Sequence, residues 1–158
     1  MFTDVSGWYE YPQNPTFENT DKAYFNCGGY ALSVYKWYLP APSSRSYKKI
    51  NREICNGKYR HGTKVAAKHI CNEFKLSIVS EKKMRHRYID PKNIEVIAFR
   101  FEKKGSHDFH FMKLGTDGYW YEKCGGSPFI NVHKYNDVFN VWHSRYNGPI
   151  IFMARARK

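Results

Sequence analysis

Apolar residues change their period about halfway along this chain. Tyr30, Ala31, Val34, Tyr35 and Tyr38 recur at helical spacing and predict a first helix over 27–38. Pro40 and Pro42 stop it. Residues 41–62 are polar and basic, with Ser43-Ser44-Arg45-Ser46 and Lys48-Lys49, and read as a connection holding short helical turns. Val65, Ala66, His69, Ile70 and Phe74 predict a second helix over 63–74, with Thr63 as its N-cap. Leu76-Ser77-Ile78-Val79-Ser80 reads as a short strand, and residues 81–87 as a charged turn of helix or loop.

Beyond residue 90 the pattern belongs to sheet. Ile94-Glu95-Val96-Ile97-Ala98-Phe99-Arg100-Phe101 alternates in part and predicts a strand. Residues 107–114 and 119–123 predict a hairpin through Gly115-Thr116-Asp117-Gly118, because Asp-Gly between apolar and aromatic runs is a strong hairpin signal. Ile150-Ile151-Phe152-Met153-Ala154 predicts a buried last strand, with Arg155 to Lys158 as a solvated tail. Residues 1–20 read as an irregular arm anchored by Trp8, Tyr9 and Tyr11. No repeat or linker divides the chain, so residues 1–158 are expected to form one domain. Helices first and mostly antiparallel strands afterwards give an α+β layer architecture.

Composition narrows the class. Of 158 residues, 42% are apolar and 18% aromatic, which argues against disorder and for an aromatic core. No apolar run approaches the roughly 20 residues that span a membrane. Met1-Phe2-Thr3-Asp4 has an acid where a signal peptide wants cations, so a cytoplasmic protein is expected, in a host cytoplasm if the source is viral. High Lys, Asn and Tyr usage is compatible with an AT-rich genome of that kind. Cys27, Cys55, Cys71 and Cys124 show no C-x-x-C spacing, so free thiols are expected rather than disulfides, with no structural metal and no cofactor. The net charge of +12 suits a polyanionic contact: nucleic acid, teichoic acid, anionic lipid or an acidic protein face. Charge alone does not choose among them.

The chemistry concentrates in Asn26-Cys27-Gly28-Gly29-Tyr30-Ala31-Leu32 and His107-Asp108-Phe109-His110-Phe111-Met112. A thiol at a helix start faces the positive end of the helix dipole, which favours thiolate. Two glycines in a first turn cost about 1 kcal/mol each relative to alanine. A path for a substrate backbone past Gly28 and Gly29 would explain them. The Cys27 N–H and the Asn26 amide are candidate oxyanion donors, although Asn26 serves equally as a helix cap. The plain alternative is a buried, inert Cys27, the role expected of the other three cysteines. His107 and His110 lie on opposite faces of their strand, and spacing alone hardly separates them as the base. His61, His69, His86, His133 and His143 read as surface or packing residues.

A third group should orient the imidazole. Glu122 sits on the returning strand, and register decides whether it reaches. A two-residue turn at Asp117-Gly118 pairs Lys113 with Glu122, turns Glu122 away from His110 and leaves a simple ion pair. A three-residue loop, Thr116–Gly118 with Gly118 left-handed, pairs Met112 with Glu122 and sets it diagonal to His110. Asn131 and Asp117 are the reserve orienting groups.

The Asn-Cys-x-x-Tyr-Ala-Leu helix start and the Asp-Phe-His-Phe…Asp-Gly-Tyr-Trp-Tyr-Glu-Lys hairpin resemble papain-like cysteine peptidases. The likeness is greatest to their compact bacterial and phage branches, the CHAP-type amidases and NlpC-like endopeptidases. It covers about 30 residues in two blocks. It implies a papain-like fold with helices packed on an antiparallel sheet, Cys27 as nucleophile, His110 as base and Glu122 as the orienting group. Glu122-Lys123-Cys124-Gly125 differs from a related His-Lys-Pro-Gly pattern at that third position. The implied activity is thiol-dependent cleavage of a peptide or amide bond in a protein or in peptidoglycan. Two rivals stand beside it. One is a non-catalytic nucleic-acid binder, for which Arg45-Ser46-Tyr47-Lys48-Lys49 and Arg85-His86-Arg87-Tyr88 interleave cations and aromatics. The other is a papain-like pseudoenzyme that binds a partner protein.

Overall fold

The computed structural model describes residues 25–34, 37–103, 108–123 and 130–158. The expected arm over 1–20, and Tyr35, His107 and Cys124, lie outside the described residues. In chain order the elements are α1 (Cys27–Ala31), α2 (Ser44–Cys55), α3 (Tyr59–Phe74), β1 (Ser77–Val79), α4 (Glu81–Arg85), β2 (Ile94–Phe101), β3 (Phe109–Leu114), β4 (Trp120–Lys123), β5 (Ile130–His133), a 3-10 turn (Tyr135–Phe139) and β6 (Ile151–Ala156). The strands form one six-stranded sheet in the order β1-β6-β2-β3-β4-β5. Every neighbouring pair is antiparallel. The α+β architecture expected from the sequence is therefore present. No helix among the described residues is long and apolar enough to cross a membrane.

Each sheet face carries its own core. Ile97, Phe99, Phe101, Phe109, Phe111 and Met153 pack against Ala31 of α1, Ile50 and Ile54 of α2, and Ala66 and Ile70 of α3. Val96, Ala98, Met112, Leu114 and Phe152 point the other way, toward Met84 of α4, Tyr135, Val138 and Trp142. This two-sided cover explains why β3 is buried at every position rather than at alternate ones.

Several helices differ from expectation, each for a visible reason. The first helix ends at Ala31 instead of Tyr38, and Ser33 adopts a left-handed φ of 57°. A continuous helix would carry residue 38 about 18 Å from residue 26. Instead Asn26 Oδ1 accepts the Tyr38 N–H at 3.0 Å and its Nδ2 donates to Tyr38 O at 2.8 Å, so the chain folds back. Residues 44–55, expected as a basic connection with short turns, form the twelve-residue α2. Ser43 caps it by accepting the Ser46 N–H at 3.1 Å, and its lysines and arginines occupy the face opposite Ile50 and Ile54. The second helix starts four residues early, so Thr63 is an interior residue, 1% exposed, rather than a cap. Ala66, Ala67 and Ile70 are its buried residues, while Val65 is exposed.

The last strand also runs further than expected. Arg155 donates to Glu95 Oε2 at 2.7 Å and to Phe74 O at 2.8 Å. Arg157 donates to the carbonyls of Pro91 and Leu114 at 2.7 and 2.8 Å. The basic tail expected to be solvated is thus a set of clasps across the sheet. β5 and the 3-10 turn have no counterpart among the expected elements.

Candidate active site

The hairpin between β3 and β4 fixes the site. Lys113 pairs with Tyr121 and Leu114 with Trp120. Gly115 N–H donates to Tyr119 O at 2.8 Å, leaving a three-residue loop in which Gly118 has φ 84°. Only glycine takes that conformation without strain. Carried one residue further, the register puts Glu122 beside Met112 and diagonal to His110. The longer-loop alternative is the one the chain adopts. Lys113 is thus opposite Tyr121 and not Glu122 in the ladder, and its Nζ lies 4.0 Å from the Tyr30 ring centroid.

Glu122 and His110 accordingly meet inside the protein. His110 Nε2 is 3.2 Å from Glu122 Oε1, and the two residues are 5% and 8% exposed. With Nε2 committed to the carboxylate, Nδ1 is the nitrogen left for a second partner. Cys27 acts on the same ring through its charge and a hydrogen bond. Cys27 Sγ also sits 3.9 Å from Phe109 O, beside the first residues of β3. Burial alone pushes the His110 imidazole down. The charge and hydrogen bond of Cys27, then the hydrogen bond and charge of Glu122, outweigh it and raise the pKa from 6.5 to about 10. The protonated ring is therefore the form that its two neighbours favour.

Aromatic side chains enclose this ring. Tyr146 stacks on His110 with ring centroids 5.2 Å apart, and Trp142 meets it edge-on at 5.8 Å. Tyr146 OH donates to Asp108 Oδ2 at 2.9 Å. Burial first, then the hydrogen bond and charge of Asp108, keep that phenol protonated. Arg100 secures the loop by donating to Gly148 O at 2.7 Å. A cleft of about 420 Å³ opens at the thiol, lined by Cys27, Trp37, Tyr47, Asp108, His110 and Tyr146 among others. Its size is that of a small-molecule or side-chain site. Trp37, half exposed, stands at its mouth.

The remaining residues singled out from sequence fall as follows. Asn26 caps α1, its Oδ1 accepting the Gly29 N–H at 3.1 Å, and it clamps the Tyr38 backbone. What the structure displays for it is a positioning role rather than an oxyanion donor. The Cys27 N–H is the first of the helix, where no intrahelical carbonyl reaches. Gly28 and Gly29 are buried and are not among the cleft-lining residues, which corrects the substrate path expected over them. A Cβ at Gly28 would meet Tyr38 Cδ2 at 3.0 Å and Phe111 Cε2 at 3.2 Å, so packing itself demands glycine there. Asp117 accepts the Tyr119 N–H at 3.0 Å inside the turn, and Asn131 is exposed on β5; neither orients His110.

Sequence reasoning missed His133. It was expected on the surface or in packing, yet its Nε2 lies 2.6 Å from Glu122 Oε2. Glu122 thus carries one imidazole on each oxygen. Ile130-Asn131-Val132-His133 does alternate, and that alternation was the available signal for β5. Trp142 and Tyr146 were missed too, and the irregular stretch that holds them offers no periodic cue. Cys71, the other described free cysteine, is half-buried, and burial pushes its thiol up. Among the described residues no group of three or more His, Cys, Asp or Glu side chains is arranged to hold a metal ion. Comparison with protein-family models, with curated proteins and with solved structures finds no match for this chain.

Proposed function

We propose that this chain is a cysteine hydrolase of papain-like type, cleaving a peptide or amide bond in a protein or in peptidoglycan. One observation carries the proposal. The buried His110 ring is held by Glu122 through Nε2 while Cys27 acts on the same ring through its charge and a hydrogen bond, at the wall of an open cleft. A cysteine that merely packs has no need of a paired imidazole. The layout also accords with a papain-like fold: cysteine at a helix start, histidine on a strand of an antiparallel sheet, and an acid on the next strand.

In this mechanism Cys27 Sγ attacks the carbonyl carbon and the oxygen takes the negative charge, facing the Cys27 N–H. His110 gives its Nδ1 proton to the departing amine as the C–N bond breaks, leaving a thioester on Cys27. A water then loses a proton to His110 and attacks the thioester carbon. The acid product departs and the thiolate–imidazolium pair returns. Glu122 holds the ring and stabilises its charged form. Because α1 has only five residues, its dipole is a minor contribution, and His110 is the chief partner of the thiolate.

Alkylation tests the pair without knowledge of the substrate. Iodoacetamide should modify Cys27 faster than Cys71, and at pH 6 as well as at pH 8. His110→Ala should abolish the reaction at pH 6. Intact wild-type protein, but not Cys27→Ala, should then release peptides from casein or from purified peptidoglycan. A Cys27 that reacts only as an ordinary thiol near pH 8.5 would sink the hydrolase proposal.

A further inference from the structure

The helical side of the molecule carries a second cavity that shares no residue with the cleft. It is a groove of about 520 Å³ between α3 and the β1 edge of the sheet. Leu76, Ile78 and Ile151 form its floor, and Ile78 is 59% exposed. Thr63, Ala67 and Cys71, one turn apart on α3, form a wall of small residues. Arg60, Lys64 and Lys68 run beside them at the same four-residue spacing, and no acid is among the lining residues.

Two features of this groove are costly to the folded protein unless something occupies it. Like charges four residues apart on a helix repel and weaken it. Thr63 is 1% exposed, and its hydroxyl oxygen is buried with no hydrogen-bond partner. A buried hydroxyl without a partner is destabilising. One ligand chemistry answers both: an apolar body for the floor and an anionic, hydrogen-bonding head for the cations and Thr63. The volume falls in the range of about 300–1,000 Å³ that accommodates a single small molecule.

We infer that the α3–β1 groove binds a long-chain fatty carboxylate, its tail along Leu76, Ile78 and Ile151 and its head among Arg60, Lys64, Lys68 and Thr63. Binding does not depend on the chemistry of Cys27.

Isothermal titration of the full chain with dodecanoate monomer tests this. Saturable one-to-one binding is expected. Hexanoate, with the same head and a short tail, and dodecyl maltoside, with the same tail and no charge, should each bind at least about tenfold more weakly. Lys64→Glu with Lys68→Glu should weaken dodecanoate by about tenfold or more. Lys48→Glu with Lys49→Glu on α2, an equal charge change elsewhere, should leave it within about twofold. Ala67→Trp should block binding by filling the groove; should that variant fail to fold, the two charge-reversal pairs decide. Absence of saturable binding overturns the inference, as does equal weakening by both charge-reversal pairs. Adsorption to phosphatidylglycerol vesicles without binding of monomeric dodecanoate also overturns it, by assigning the cations to a membrane surface.

Discussion

At the scale of single residues the carboxylate of Glu122 is the pivot. A buried carboxylate needs partners for both oxygens, and here the partners are two imidazoles, at 3.2 Å from His110 and 2.6 Å from His133. His133 is the more exposed of the two, so it closes the row toward solvent. Removing it takes away the hold on Oε2. A hydrogen bond to a buried charge is worth about 1.5–3 kcal/mol, and about 1.4 kcal/mol corresponds to tenfold in rate. His133→Phe should therefore slow Cys27 alkylation at pH 6 by about tenfold or more. His133→Gln, which restores an N–H donor, should recover most of the rate. Equal rates in all three proteins would show that His110 keeps its orientation without help from His133. Glu122→Gln tests the next link. It preserves an oxygen for His110 but not the charge, so the fast reaction at pH 6 should be lost while thermal stability falls only modestly. A Glu122→Gln protein that alkylates as the wild type does would remove Glu122 from the orienting role.

At the scale of elements, the strands were more legible than the helices. β2 forms over its full predicted length, because its nearly continuous, partly alternating apolar run suits a strand covered on both faces. Asp117-Gly118 leaves two registers open for the hairpin, and the pairing of Lys113 with Tyr121, with a positive φ at Gly118 but not at Asp117, is that of the three-residue loop. The first helix was misjudged because its apolar face continues past Ala31 on paper. What ends it is a tertiary bond from Asn26 to Tyr38, which no local period encodes. α2 is hard to read locally because only Ile50 and Ile54 mark its buried face among exposed cations. The Gly-Gly pair of α1 was legible as unusual, yet its cause at Gly28 is aromatic packing and not a ligand path. That difference has a consequence for Gly28→Ala. Alanine gains about 1 kcal/mol of helix propensity, but overpacking a buried site costs about 1–3 kcal/mol. Phe111 cannot recede, since it is fully buried and packed against Phe99, 4.9 Å away between ring centroids. Gly28→Ala should lower the thermal midpoint by several degrees and leave the Cys27 alkylation rate of the folded protein within about twofold. A stable variant with blocked alkylation would restore the substrate path over this glycine.

At the scale of the whole molecule, a chain with net charge +12 folds around a row of charges that is buried rather than displayed. Its contribution to stability has a definite pH window. The His110 pKa in the folded chain, about 10, lies above its ordinary value of 6.5, so folding favours the protonated ring. That stabilisation is complete below pH 6.5 and is lost as pH rises through 10. Across the upper half of the window the loss is that of the proton held by the His110 ring. His110→Gln keeps a hydrogen-bonding side chain but cannot titrate. Scanning calorimetry at half-unit steps from pH 6 to 10.5 should show the wild-type midpoint falling more steeply than that of His110→Gln between pH 8.5 and 10. Lysines and tyrosines titrate in both proteins, so their effect cancels in the difference. The difference curve should flatten below pH 6.5, where the ring is charged in both states. Parallel curves throughout would mean that folding does not favour the charged ring, and the resting thiolate–imidazolium pair of the proposed mechanism would then be absent.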